Sequence, residues 1–154
     1  AYTFHGFIEP MTKRGRGKLV GIASVSGIRG LPGSEAYGAS KSAVITYNES
    51  LRVGLRKTGI KVQTISPGFV RTPLTSANPY KMPFVLTPDE FAERAVKTID
   101  SDASYRTIPW QMGLLAKAMR IAPNCLWDKI VANRKQKPRL ADKQKAEAEA
   151  AQRK

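Results

Sequence analysis

The stretch Tyr37-Gly38-Ala39-Ser40-Lys41 decides how this chain is read, because it sets a phenol four residues ahead of an ammonium. A tyrosine and a lysine at that spacing occur in many proteins, so the neighbours carry the argument. Ser24 lies thirteen residues upstream, within Ile22-Ala23-Ser24-Val25-Ser26-Gly27. Thirty residues downstream comes Pro67-Gly68-Phe69-Val70-Arg71-Thr72. At the start of a helix, residues four apart share one face, so Tyr37 and Lys41 point the same way.

The flanking pattern alternates helix and strand. Phe4, Phe7, Ile8 and Met11 recur at helical spacing over residues 1–14, with Pro10 predicting a kink or local break. Lys18 to Ala23 has the length and apolar character of a buried parallel strand. Residues 26–35 are rich in turn formers. A long helix is predicted from about Ala36 to Lys57, with Ala43, Val44, Tyr47, Leu51 and Leu55 as its apolar stripe, closed by Gly59. Ile60 to Ile65 is the next strand, stopped by Pro67-Gly68. Residues 72–87 read as a long loop, and loops of that length are usually functional. Thr87-Pro88-Asp89-Glu90 is a helix start. A short strand at Tyr105 to Trp110 and two helical segments split by Pro123 follow. This alternation predicts an α/β fold: a doubly wound parallel sheet with helices on both faces, here its last three strands. Ligands of such sheets bind outside the carboxyl ends of the strands, where Ser24 and Pro67-Gly68 fall.

The residue types suit one chemistry. A phenol with a pKa near ~10 exchanges protons poorly at neutral pH. An adjacent ammonium favours the phenolate and brings it toward the working range. A serine hydroxyl can donate to the same substrate oxygen and hold it. Three groups on one oxygen suit interconversion of a carbonyl and an alcohol, with the hydride supplied by a cofactor.

These motifs resemble those of the short-chain dehydrogenase/reductase family, over roughly residues 1–110. The resemblance implies a Rossmann-like three-layer α/β/α domain using NAD or NADP. It implies that Tyr37 is the general acid/base, that Lys41 activates it and binds the nicotinamide ribose, and that Ser24 orients the substrate. It places Tyr37, Lys41, Pro67, Gly68, Val70 and Thr72 along the cofactor, with Val70 and Thr72 at its carboxamide. It makes residues 73–85 a loop over the substrate, and helices 1–14 and 36–57 a homodimer or homotetramer interface. The family's glycine-rich phosphate turn, its ribose selector and its Asn-Asn-Ala-Gly segment have no counterpart here, and its fourth catalytic residue, an asparagine, would precede Ala1. The chain therefore looks like the later part of a longer enzyme. Alone it is expected to expose an apolar sheet edge and to be inactive. Gly27, Gly30 and Gly33 follow the Ser24 strand at a spacing of three and are read as loop geometry, not as a nucleotide fingerprint.

The remaining features bound the answer. The expected division is a catalytic part at 1–110, an amphipathic helical segment at 111–133 and a basic, disordered tail at 134–154. Net charge is +14, and the tail holds eight Lys/Arg against three Asp/Glu. Nucleic acid is disfavoured as a partner, since there is no zinc spacing, no aromatic-basic interleaving and no reading helix. The alternative to an enzyme is a module meeting a membrane surface through the basic amphipathic segment. Leu114, Leu115, Met119 and Ala122 form one apolar face there; Leu126, Trp127, Ile130 and Val131 form another. No leader and no run of ~18 apolar residues is visible. Cys125 is the single cysteine and is expected to be buried, which with the absence of a leader suits the cytoplasm. His5 has no evident second ligand, so no metal is expected. Leu31, Phe69, Met82, Phe84 and Val85 suggest an apolar alcohol or ketone substrate.

Overall fold

The computed structural model describes residues 2–76, 78 and 80–132. Its elements run α1 (Tyr2–Arg14), β1 (Gly17–Ile22), a 3-10 turn (Val25–Gly27), α2 (Glu35–Gly54), β2 (Ile60–Pro67), α3 (Pro73–Ser76), α4 (Pro88–Asp100), β3 (Tyr105–Ile108), α5 (Trp110–Ile121) and α6 (Asn124–Ala132). The three strands are parallel in the order β1-β2-β3. The register runs from Gly17↔Ile60 to Ile22↔Ile65, and from Thr64↔Tyr105 to Pro67↔Ile108.

Strand periodicity sorts the core into two layers. Leu19, Ile60 and Val62 face Phe4, Ile8 and Met11 of α1 and Leu51 of α2. Ile65 and Ile108 face the other way, with Leu86, Ala95, Phe91 and Ile99 around α4. Val62 to Ser66 are all buried, as befits a central parallel strand. Polar ties cross both layers. Asn48 of α2 donates through Nδ2 to Thr64 Oγ1 at 3.1 Å, and a Cβ on Gly21 would fall 1.9 Å from that nitrogen. Glycine at position 21 is therefore what lets α2 settle on β1. Gln63 Nε2 donates to the Ser101 and Thr98 carbonyls at 2.7 and 3.2 Å, fastening β2 to the end of α4.

Several expectations need correction. No break occurs at Pro10: α1 continues to Arg14, because its apolar face is held on the sheet by Phe4, Ile8 and Met11. The 72–87 segment contains a short helix, α3. β3 ends at Ile108, and the cis Ile108–Pro109 bond leads directly into α5. The buried face of α5 is Met112 and Ala116, not Leu114 and Leu115, which are exposed. On α6, Trp127 and Val131 are buried, whereas Leu126 and Ile130 are exposed. Cys125 is exposed, since it lies off that face. β1 has a partner on one side only among the described residues, and its terminal Ile22 is exposed. Among the described residues no helix is long and apolar enough to cross a membrane. The tail expected to be disordered lies outside the described residues.

Candidate functional site

Parallel strands put all their carboxyl ends at one edge, and the predicted residues gather there. Ala23 N donates to Ile65 O at 2.8 Å, extending the pairing of β1 by one residue. Ser24 follows with extended backbone (φ −169°, ψ 155°) and caps the 3-10 turn, its Oγ accepting from Ser26 N at 3.2 Å. That bond occupies an acceptor site and leaves the hydroxyl proton free to donate. The Ser24 side chain is buried.

Two glycines bring this turn onto α2. A Cβ on Gly27 would lie 2.6 Å from the carbonyl carbon of Lys41 and 2.7 Å from Ser42 N. A Cβ on Gly38 would lie 3.0 Å from Ser26 O. The Ser24 turn thus rests backbone to backbone on the first turns of α2, where Tyr37 and Lys41 sit. Lys41 reaches back over the strand end, and its Nζ donates to Ile22 O at 3.1 Å. The same ammonium is 5.8 Å from the centre of the Tyr37 ring. Tyr37 is 51% exposed, and its hydroxyl has no hydrogen-bond partner among the described residues. A free phenol therefore stands beside a pinned ammonium with two N–H groups to spare.

The second strand end is built differently. Gly68 N donates to Ile108 O at 2.8 Å, and a Cβ at Gly68 would lie 2.7 Å from Met112 Cγ. Val70 pairs with Leu86 in an isolated parallel bridge. Thr75 Oγ1 accepts from Thr72 N at 2.9 Å and donates to Val70 O at 2.7 Å, so α3 props the Val70–Thr72 stretch. Thr75 was not singled out in the sequence. No hydrogen bond joins Ser24, Tyr37 or Lys41 to residues 67–72 among the described residues. Of the apolar candidates, Phe69 lies against Tyr80 with ring centres 6.2 Å apart, and Met82 Sδ accepts from Asn78 Nδ2 at 3.3 Å. Phe84 is exposed with a left-handed backbone, φ 54°. A separate cleft of about 730 Å³ opens between α2, β3 and α5, lined by Thr46, Glu49, Tyr105 and Lys117 among others. Ser24, Tyr37 and Lys41 do not line it.

The Thr87 backbone N–H lowers the Glu90 pKa, Lys97 lowers that of Glu93, and Lys61 lowers that of Asp102, all on or near α4. His5 is exposed on α1, and no three His, Cys, Asp or Glu side chains group as a metal site among the described residues.

One contact had no warning in the sequence. Arg29, in the loop between Ser24 and Tyr37, donates through Nη1 to Met119 O at 2.7 Å and to Ala122 O, and through Nη2 to Asn124 Oδ1 at 2.8 Å. Its guanidinium lies 5.0 Å from the centre of the Trp127 ring system. Trp127 Nε1 donates to Gly30 O, and Arg120 Nη1 donates to Ile28 O, both at 3.2 Å.

The chain is similar to known proteins in sequence and in fold. A sequence model of the short chain dehydrogenase family matches residues 2–82. The chain is 41% identical over 128 residues to an uncharacterized oxidoreductase of Myxococcus xanthus (strain DK1622), covering 83% of this chain and 51% of the relative. It superposes on a solved 7β-hydroxysteroid dehydrogenase with a TM-score of 0.68 at 21% identity, over 84% of this chain and 53% of that one. It superposes on an actinorhodin polyketide ketoreductase solved with NADPH with a TM-score of 0.53 at 27% identity, over 64% and 48% of the two chains. The chain spans about half the length of the curated relatives it matches. With a parallel sheet flanked by helices on both faces and the family match extending over more than half its residues, the chain belongs to the short chain dehydrogenase family.

Proposed function

We propose that the whole protein is an oxidoreductase that interconverts an apolar ketone and its alcohol with NAD or NADP, and that Ser24, Tyr37 and Lys41 handle the proton. The observation that carries this reading is the seating of the Ser24 turn on the Tyr37–Lys41 turn, with Lys41 tied to Ile22 O. In the reducing direction, Tyr37 Oη gives its proton to the carbonyl oxygen as that oxygen becomes an alkoxide. The Ser24 hydroxyl donates a hydrogen bond to the same oxygen and fixes its direction. The Lys41 ammonium stabilises the phenolate left behind, which recovers a proton from water.

The donor set fits the nicotinamide end of a dinucleotide. Lys41 keeps two N–H groups free beside the carboxyl end of β1. Lys41, Gly68, Val70 and Thr72 would hold that end, and Thr75 steadies the last two. A bound nicotinamide supplies the hydride in reduction and takes it in oxidation. The NADPH of the ketoreductase relative supports a nicotinamide cofactor. Leu31, Phe69, Met82, Phe84 and Val85 support an apolar substrate.

The test is Tyr37→Phe in the whole protein. Turnover on a panel of apolar ketones is expected to fall below detection, while NADPH still binds by fluorescence titration. Undiminished turnover would remove Tyr37 from the mechanism.

A further inference from the structure

Arg29 sits midway between the residues proposed to act on the substrate oxygen, yet its own donors are committed elsewhere. The last turn of a helix leaves carbonyls without intrahelical partners, and that end carries partial negative charge. Arg29 fills this role for α5, taking the Met119 and Ala122 carbonyls and the Asn124 side chain. The indole of Trp127, itself buried, covers the guanidinium. The fastening is reciprocal. From the helical side, Arg120 holds Ile28 O and Trp127 holds Gly30 O. Three consecutive loop residues, Ile28, Arg29 and Gly30, are thus anchored to α5 and α6. At its other end α5 presses Met112 against Gly68. One helix therefore braces both strand-end segments.

We propose that Arg29 is a positioning residue: it locks the Ile28–Gly30 loop to the carboxyl end of α5, and so sets where Ser24 and Tyr37, at the two ends of that loop, meet the substrate oxygen. The claim that substrate is gripped there rests on the oxidoreductase reading above; the claim that the loop is locked does not. Arg29 does not itself touch the substrate. The segment from Trp110 onward, outside the residues matched by the family model, then becomes part of the substrate machinery and not only a cover for β3.

The experiment compares Arg29→Ala, Arg29→Lys and Trp127→Phe with the wild type in the whole protein. Amide hydrogen exchange reports loop fixation, and steady-state kinetics use NADPH with the apolar ketone that the wild type turns over fastest. Arg29→Ala is expected to speed exchange at residues 26–34 by about tenfold, with α4 amides unchanged as the control for folding. Misplacing the oxygen-binding groups is expected to raise the ketone KM by about tenfold and to leave the NADPH KM within about twofold. Arg29→Lys keeps the charge but loses the fork, so it should fall between; Trp127→Phe keeps an aromatic face but loses the Nε1–H donated to Gly30 O, and should do the same. Unchanged exchange at 26–34 in both Arg29→Ala and Trp127→Phe would overturn the lock. Faster exchange with wild-type ketone KM and kcat would overturn the positioning role. If the wild type turns over no ketone, the oxidoreductase reading and the positioning role fail together, and the exchange measurement alone then decides whether the lock exists.

Discussion

Replacing Gly27 with alanine tests whether the close seating of the Ser24 turn on α2 matters. The new Cβ would lie 2.6 Å from Lys41 C, 2.7 Å from Ser42 N and 2.9 Å from Lys41 O. All three are backbone atoms of a helix, so none can swing aside. Ordinary contact begins at 3.4 Å, so the turn must retreat by about 0.8 Å. Overpacking of this kind costs about 1–3 kcal/mol. For a domain of this size, that lowers Tm by about 3–9 °C. The retreat carries Ser24 away from Tyr37, and a displacement near 1 Å can cost on the order of a hundredfold in rate. Two further glycines calibrate the result. Gly68→Ala meets the side chain of Met112, which can yield, so its effect on Tm should be smaller. Gly30→Ala meets nothing within 4 Å and should change Tm little. Differential scanning calorimetry and ketone turnover on the three variants of the whole protein give the ranking. If Gly27→Ala behaves like Gly30→Ala in both assays, the seating is not what assembles the site.

Two further perturbations probe the scaffold. Asn48→Ala strands the Thr64 hydroxyl and opens a void beside Gly21, so chemical denaturation should show a loss of about 2–3 kcal/mol. Acid titration should expose the start of α4: the Thr87 backbone N–H, then the Thr87 hydroxyl, holds the Glu90 pKa below its ordinary 4.5. A depressed folded-state pKa means the stabilisation is present above 4.5 and fades as pH falls through the lower folded value. The Tm gap between wild type and Glu90→Gln should therefore narrow on acidification, and a gap that holds constant into strong acid would contradict that linkage.

What could be read in the chain was local. The start of α4 was visible because capping chemistry needs only four adjacent residues: Thr87 Oγ1 accepts from Glu90 N at 3.3 Å, and Glu90 Oε2 accepts from Thr87 N at 2.8 Å. Tyr37 and Lys41 were visible because helical spacing alone puts them on one face. The carboxyl-end placement of Ser24 and Pro67-Gly68 followed from the run lengths of β1 and β2. What stayed hidden depends on partners far away in the chain. The face that α5 buries is decided by what it meets, Gly68 and β3, and the small Ala116 suits that approach better than the larger Leu114 and Leu115. Asn48 sits within an otherwise ordinary helix, and its role appears only once Gly21 and Thr64 are opposite it. Arg29 finds its acceptors 90 to 95 residues on, a pairing that no short-range pattern encodes. Cys125 was misread for a related reason: cysteines are often buried, but a residue's place on its helix face overrides its type.

Exposed lysines elsewhere in the chain pair with carboxylates, Lys13 with Glu9 and Lys97 with Glu93. Lys41 instead folds back nineteen residues in sequence to the Ile22 carbonyl, at the last residue of β1. That carbonyl is available because β1 ends there and the chain turns into the Ser24 extension. The strand end therefore holds the ammonium, the ammonium stands beside the phenol, and the turn leaving the same strand presents the serine. All three groups are referenced to one piece of backbone, Ile22 to Ser24. Anything that shifts that piece shifts them together, whereas a change in the loop joining Ser24 to Tyr37 shifts one against the other. The relative placement is the more vulnerable of the two, and it depends on the glycine contacts at Gly27 and Gly38 together with the anchoring of Ile28 to Gly30 on α5 and α6.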